Sequence, residues 1–123
     1  MSFIRTVDVT LTTNSSGAAT GYTPPVNGFL LKASYIKVDF ADGIDFTITA
    51  ETNALPILAR TDQNTAAIFN PREATHDVLG AASLYAAAGE PVEGLIPLAN
   101  ERIKVVVAQG GDTKTGTFRF WVG

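Results

Sequence analysis

Near the carboxyl end, apolar and polar side chains alternate strictly, and this alternation restricts the fold more than any other feature of the sequence. It covers two runs in RIKVVVAQGGDTKTGTFRFWV, which are separated by a Gly-rich polar turn. The apolar positions are Ile103, Val105 and Val107 in the first run, and Phe118, Phe120 and Val122 in the second. A side-chain period of two residues is what a half-buried sheet requires. The segment therefore predicts two strands, joined as a hairpin, each with one face in a core.

The same period recurs along most of the chain. The run from Arg5 to Thr13 predicts a strand with Val7, Val9 and Leu11 on one face. A second predicted hairpin joins two runs through the turn at residues 41–43. Its apolar positions are Ile36, Val38 and Phe40 before the turn, and Ile44, Phe46, Ile48 and Ala50 after it. Shorter strands are predicted at 18–22, 55–59 and 66–69. The composition of residues 14–17 and of Asn27-Gly28 is typical of turns.

The segment from Pro71 to Pro91 fits no single period, and two interpretations stay open. Asp77 could cap a helix that runs through the Ala-rich stretch and ends at Gly89. Gly80 weakens the first turn of such a helix, and Leu84-Tyr85 would suit a short strand. We favour a loop with a short strand.

Eight or nine short strands at this spacing predict an all-β fold, an antiparallel β-sandwich, for which a jelly roll is one arrangement. The length of 123 residues predicts a single domain covering residues 1–123. Hydrophobic residues make up 46% of the chain and charged residues 17%, against about 25% in average soluble domains. We therefore expect part of the apolar surface to be buried against other subunits.

Charge and cysteine content argue against several functional classes. The net charge is −3, and the basic residues are scattered singly, whereas binding to a phosphate backbone needs clustered positive charge. We expect no direct contact with nucleic acid. The absence of Cys excludes disulfides and thiolate chemistry. The opening MSFIRTVDV does not resemble a signal peptide, and no run approaches the roughly 20 apolar residues of a membrane helix. We expect no contact with a membrane.

Two groups of titratable residues are candidate metal sites. Asp39, Asp42 and Asp45 surround the turn at 41–43, and carboxylate oxygens are ligands for Ca²⁺. Their spacing is not that of an EF-hand, and a solvated sheet end explains them as well. The second group consists of Glu73, His76 and Asp77. It lacks a second His or any Cys, so we interpret it as a polar surface loop. We expect no bound metal.

No catalytic set of residues emerges from the sequence. The Gly-rich turn at 110–116 looks like a phosphate loop, but Lys114 precedes Thr115-Gly116 and a strand follows, where a Walker motif needs a helix. The serines lack the nucleophile elbow, and the single His would have to serve any triad. We therefore expect no catalytic residue, no cofactor and no enzymatic activity.

Three side chains are candidates for an interface. Tyr35, Arg119 and Trp121 fall opposite the positions assigned to the core. An aromatic and Arg set on a sheet face has the composition of an interface centre. The alternative is that these side chains enter the core of a second sheet.

Parts of the chain resemble small virion proteins of tailed bacteriophages. The similar parts are the tail LIPLANERIKVVVAQGGDTKTGTFRFWV, the opening IRTVDVTLTTNSSGAATGY and the pattern PRxxxHDxxGA from Pro71 to Ala81. Members of that group are β-sandwiches or jelly rolls, often trimeric, that decorate or cement the outer capsid.

The resemblance implies a homo-oligomer, with a trimer favoured, and the major capsid protein as partner. It also implies synthesis in the host cytoplasm followed by location in the virion. Two alternatives stay open at this point. One is a head–tail connector or tail component of the virion. The other is a carbohydrate-binding β-sandwich that uses Trp121 and Tyr35 as stacking platforms.

Overall fold

The computed structural model describes residues 3–123, and within that range the chain forms eleven β-strands and no helix. The strands are β1 (Arg5–Thr12), β2 (Ala19–Tyr22), β3 (Val26–Ile36), β4 (Asp45–Ala50), β5 (Leu55–Arg60), β6 (Ala67–Phe69), β7 (Glu73–Ala74), β8 (Glu93–Gly94), β9 (Ile96–Glu101), β10 (Ile103–Ala108) and β11 (Thr115–Val122). β7 and β8 have two residues each and pair with each other. The all-β fold predicted from the alternating pattern is confirmed.

The remaining nine strands form two sheets, and their pairs are all antiparallel. The first sheet has the order β1-β11-β3, with β6 and β9 both pairing with β3 along different parts of its length. The second sheet has the order β2-β10-β4-β5. In chain order, the strands β1 to β6, β10 and β11 change sheet at every step except from β4 to β5. That order is the arrangement of a jelly roll.

A hydrophobic core lies between the two sheets. The side chains predicted to point inward from β4, β10 and β11 are buried, and Val105 and Phe120 have no exposed surface at all. On β1, Val9 and Leu11 are buried and Val7 packs against the core. Each buried side chain of this size stabilises the fold by about 1.5–3 kcal/mol. Burial between the sheets is therefore the main driving force for this fold.

The two predicted hairpins are wrong, although the inward faces predicted for β4, β10 and β11 are right. β3 and β4 lie in different sheets, and so do β10 and β11. Residues 37–44 and 109–114 are thus connections that cross from one sheet to the other. A period of two residues reports which side of a strand faces the core, and two strands facing one core from opposite sides show the same pattern.

The inward face predicted before the turn is also wrong at Ile36 and Val38, because β3 contains irregularities, whereas Phe40 is buried as predicted. Asn27-Gly28 lies inside β3, where the register against β9 shifts, and Gly28 has a φ of +123°, which favours glycine. A second register shift occurs where β3 pairs with the end of β11. The phase of β3 is consequently displaced by one residue, so that Tyr35 points inward and Ile36 does not. Val38, predicted to face the core, is 67% exposed.

The segment between Pro71 and Pro91 contains no helix. It consists of β7, a series of turns and two isolated bridges, His76 to Ala82 and Leu84 to Pro91. The loop interpretation with a short strand is therefore the one the structure supports. Within residues 3–123, no helix has the length and apolar character that crossing a membrane requires.

Candidate interaction surfaces

Tyr35, the first of the three candidate interface residues, lies in the core. Its side chain is 1% exposed, and its ring centroid is 5.2 Å from that of Phe46 and 5.4 Å from that of Phe118. The shifted phase of β3 brings the ring between the sheets. Tyr35 therefore cannot contact a partner. It packs in the core against the second sheet, which was the alternative interpretation of its position in the sequence.

The hydroxyl of Tyr35 is buried without a hydrogen-bond partner among residues 3–123. Burial and, to a smaller extent, the negative charge of Asp42 together raise the pKa of Tyr35 to about 12. Loss of the proton would leave a phenolate among aromatic rings, which is unfavourable in an apolar environment. The hydroxyl of Tyr35 therefore affects the stability of the fold, and no described residue is placed to react with it.

Arg119 lies on the outer face of the first sheet and is paired with Asp8. Its Nε donates to Asp8 Oδ1 at 2.8 Å, and its Nη2 donates to Asp8 Oδ2 at 3.1 Å. The hydrogen bond from Arg119 lowers the pKa of Asp8, and the same bond raises the pKa of Arg119. The pair is one rung of a polar ladder between β1 and β11. The other rungs are Thr10 with Thr117, at 3.0 Å between hydroxyls, and Thr12 with Thr115, at 3.2 Å.

Trp121 borders an apolar cleft on the same outer face. The cleft has a volume of about 200 Å³ and is lined by Ile4, Leu31, Lys32, Ile68 and Trp121. We call it the Trp121 cleft. Ile4 and Ile68 are 67% and 62% exposed. Aliphatic and aromatic side chains thus form an open apolar surface, with one ammonium group beside it.

A bulge in β3 builds this cleft. Trp121 is opposite Lys32 and Val122 is opposite Leu30, so Leu31 has no partner across the ladder. Because Leu30 and Ala33 both face the core, Leu31 and Lys32 occupy the stretch between two inward positions. The carbonyl oxygen of Leu31 accepts a hydrogen bond of 3.2 Å from Arg72 Nη1.

Residues 73–94 leave the sandwich directly after Arg72 and form what we call the forked arm. Its stem is the β7–β8 pair, extended by a bond of 2.9 Å from the Thr75 amide to the Val92 carbonyl. At Ser83 the chain pairs with both stem strands, because the Ser83 amide donates to Thr75 and the Val92 amide donates to Ser83. Two tight turns extend from this junction.

The first tip of the forked arm covers residues 77–81. The Asp77 carboxylate accepts hydrogen bonds from the amides of Leu79 and Ala81, at 2.9 and 3.0 Å, and holds the turn closed. The second tip covers residues 85–90, where the Tyr85 amide donates to the Glu90 carbonyl at 3.0 Å. Backbone bonds and turn chemistry, rather than packing, thus define both tips.

The forked arm is exposed at both tips and at most half-buried in its stem and junction. None of its 22 residues is buried, although half of them are apolar. Val78 is 100% exposed, Leu79 90% and Tyr85 75%. The arm also carries four carboxylates, at Glu73, Asp77, Glu90 and Glu93, and no Lys or Arg. With His76 neutral its formal charge is −4, which leaves +1 on the rest of the chain.

The carboxylates around residues 39–45 have separate structural partners. Asp39 accepts a hydrogen bond of 2.6 Å from the Thr115 amide, and Asp45 accepts one of 3.0 Å from the Asp62 amide. Asp42 forms an ion pair with Lys37. Each group therefore fastens a loop. Within residues 3–123, no three His, Asp or Glu side chains are arranged to hold a metal ion.

The Gly-rich turn at 110–116 is tied to the turn after β1. The Thr13 hydroxyl donates to the Gly111 carbonyl at 2.6 Å, and the Gly110 amide donates to the Gly17 carbonyl at 2.9 Å. The turn thus closes one end of the sandwich.

Sequence reasoning placed Arg119 and Trp121 opposite the core positions of β11, as the structure has them, but missed the Trp121 cleft and the tips of the forked arm. The cleft depends on the bulge at Leu31, which the alternating pattern does not reveal. A signal for the arm was present, because residues 73–94 are half apolar yet follow neither a helical nor a strand period. Comparisons of the chain with protein-family models, with curated proteins and with solved structures found no match.

Proposed function

We propose that this chain is a structural protein of a tailed-bacteriophage virion, specifically a capsid decoration or cement protein. Its role is to bind neighbouring protein subunits and stabilise the assembled head. The resemblance of the tail, the opening and the segment from Pro71 to Ala81 to such proteins supports this class. The observation that carries the proposal is the exposure of the forked arm.

The contacts of the forked arm reveal no role for it in folding the sandwich. Its apolar tip residues Val78 and Leu79 are almost fully exposed. In an isolated chain their apolar surface stays in contact with water and contributes nothing to the stability of the fold. Contiguous exposed apolar surface on a soluble protein marks an interaction site. An arm displayed in this way suits a protein whose final environment is other protein surfaces.

The mechanism of stabilisation is mass action. A protein that binds the assembled shell, and not its separated subunits, shifts the equilibrium towards the shell. Interfaces of standard size bury about 1,600 Å² in total, and many copies on one shell add their contributions. Decoration of this kind needs exposed apolar surface and structural rigidity, and it needs no reacting group.

The carbohydrate-binding alternative is weakened by the position of Tyr35. A stacking platform needs exposed rings, and Tyr35 is 1% exposed, which leaves Trp121 alone. Within the virion class, a head–tail connector or tail component is the second candidate. Imaging of particles that carry a labelled chain distinguishes these positions, since density over the whole shell indicates decoration and density at one vertex indicates a connector.

Mass spectrometry of purified particles of the virus that encodes the chain tests the proposal. We expect the chain in many copies per particle, and we expect particles without it to release their genome at a lower temperature. A control series restores the wild-type chain to these particles and measures recovery of the higher temperature. Absence of the chain from purified particles contradicts the proposal.

A further inference from the structure

We propose that the first tip of the forked arm of one copy inserts Val78 and Leu79 into the Trp121 cleft of a second copy. The chain would thereby form a homo-oligomer held by arm exchange. This deepens the proposed function by naming the partner of the arm, and it rests on that function only for the capsid setting.

The volume of the Trp121 cleft selects its occupant. Sites for small molecules usually have volumes of about 300–1,000 Å³. The cleft has about 200 Å³ and an apolar lining, which suits one or two aliphatic side chains better than a cofactor or a sugar. Leu79 and Val78 are aliphatic, adjacent and exposed, and they are held at the end of a defined turn.

The geometry of the arm excludes its own cleft as the destination. The arm leaves the sandwich beside the cleft, because Arg72 is bonded to Leu31 and Ile68 precedes the arm by five residues. From Glu73 to Val78 the chain extends by about 17 Å at the usual rise of a strand. With β7 and β8 paired, Val78 and Leu79 are almost fully exposed and do not line the cleft of their own chain. The tip therefore has to meet another molecule.

The charge of the arm favours a sandwich over another arm as its contact. The arm has a formal charge of −4 and the rest of the chain +1, so an arm attracts a sandwich and repels another arm, and this local attraction acts against the repulsion between two copies of charge −3. Lys32 lies in the lining of the cleft, where it can meet a carboxylate of the incoming arm, such as Asp77.

The tip and the cleft are different surfaces, so each copy has one arm to give and one cleft to fill. Contacts of this heterologous kind close into rings or continue as fibres, and a two-fold pair can form by reciprocal exchange. A closed ring satisfies every arm and every cleft.

Light scattering after size-exclusion chromatography tests the inference on the purified full-length chain without any capsid. We expect a mass at least twice that of the 13.0 kDa monomer. Leu79→Asp in the arm and Ile68→Asp in the cleft are each expected to weaken association by about 10- to 100-fold, since each places a charge in an apolar contact. Val38→Asp is the matched control, because Val38 is 67% exposed and lies in the 37–44 connection, outside both surfaces.

Mixing the two variants separates a lost contact from a lost fold. The Leu79→Asp chain keeps a working cleft, and the Ile68→Asp chain keeps a working arm. We therefore expect two monomeric variants that combine as a one-to-one dimer when mixed. A variant that fails to fold gives no such dimer, and circular dichroism of each variant alone identifies that case, in which Trp121→Ala replaces Ile68→Asp.

Three outcomes overturn the inference: a monomeric wild-type chain at all concentrations, unchanged association in both variants, or equal loss in Val38→Asp. Binding of the chain to capsid shells is measured separately. A monomer that binds shells contradicts arm exchange and leaves the proposed function standing. An arm-exchanged oligomer that ignores shells contradicts the proposed function and leaves arm exchange standing.

Discussion

The sandwich and the forked arm contain nearly the same fraction of apolar residues, but only the sandwich buries them. Half of the arm residues are apolar, against 46% of the whole chain, yet no arm side chain is buried. In the sandwich, side chains such as Phe118 and Val105 are at most 1% exposed. What differs is the order of the residues, since a period of two gathers apolar groups on one face and the arm has no such period.

The comparison teaches that this chain uses apolar residues for two purposes. Between the sheets they drive folding, because they leave water together. In the arm the fold depends on backbone hydrogen bonds and on the Asp77 turn, and the apolar groups remain available for association. Regions held in this way open more easily than a packed core.

A truncation in each region is the strongest test of this contrast. Phe118 contacts Tyr35 and Phe46 with ring centroids 5.4 and 5.0 Å apart, and Phe118→Ala leaves a cavity between the sheets. We expect a loss of about 3–5 kcal/mol in the free energy of unfolding. Leu79→Ala in the arm is expected to change it by less than about 0.5 kcal/mol.

Chemical denaturation at protein concentrations low enough to keep every variant monomeric measures both values, because association would add to the stability of the wild type. Circular dichroism at 20 °C follows the sheets, and the slopes of the two transitions show whether each remains a single step. Equal losses in the two variants would mean that the arm is part of the cooperative core, and the contrast would fail.

Alkaline pH is expected to destabilise the sandwich through Tyr35. Burial raises its pKa from 10.0 to about 12, so the unfolded chain loses this proton first as the pH rises. The stabilisation is complete below pH 10 and is lost as the pH rises towards 12, which amounts to about 2–3 kcal/mol. Denaturation midpoints at successive pH values between 9 and 12 measure the loss.

Tyr35→Phe is the matched variant, because it keeps the ring and removes the titrating group. We expect its unfolding free energy to lack this part of the decline, while other groups titrate equally in both proteins. At pH 8 it should be at least as stable as the wild type, since the hydroxyl has no partner among the described residues. Parallel declines in the two proteins would show that Tyr35 titrates as an exposed phenol.

Removal of the arm should leave the sandwich intact. Ala74 and Glu93 are paired in the stem, so residues 75–92 can be replaced by Asn-Gly, which forms a two-residue hairpin turn. We expect a change of less than about 1 kcal/mol in the free energy of unfolding, since no buried side chain is lost. Thermal denaturation of the shortened chain measures this.

A second chain with residues 75–92 replaced by an equally long Gly/Ser segment controls for loop length, because a longer loop carries a larger entropy of closure. Loss of cooperative unfolding in both chains would show that the arm supports the sandwich, contrary to the contrast drawn here.

Many of the buried positions of the sandwich can be predicted from the sequence, but the pairing of its strands cannot. Both results have the same physical reason. The inward positions of β4, β10 and β11 are predictable because burial of one strand face imposes a period of two residues. Strand partners are not predictable in this way, since Val105 and Phe120 face one core from opposite sheets with identical patterns. The predicted hairpins fail for that reason.

Local irregularity limits the prediction of the candidate surfaces. One unpaired residue, Leu31, displaces the phase of β3, and this moves Tyr35 into the core and opens the Trp121 cleft. The first tip of the forked arm depends on turn chemistry at Asp77, and in the sequence the same Asp could equally cap a helix. Arg119 and Trp121 were predictable because β11 is regular up to that point.

The smallest effect belongs to the outer face of the first sheet, where Asp8 and Arg119 pair in solvent. Asp8→Asn removes the charge that Arg119 stabilises, and we expect a slight lowering of the thermal midpoint at pH 7, because exposed ion pairs contribute little. The pKa of Asp8 is held below its usual 3.8, so its stabilisation is present above pH 3.8 and is lost as the pH falls further. The wild type and the variant should therefore converge at acidic pH and also in 1 M salt, which screens the pair. A midpoint difference as large as that of Phe118→Ala would show that this exposed ion pair stabilises the sandwich as much as a buried aromatic ring does, and burial would then not explain the difference between the sandwich and the arm.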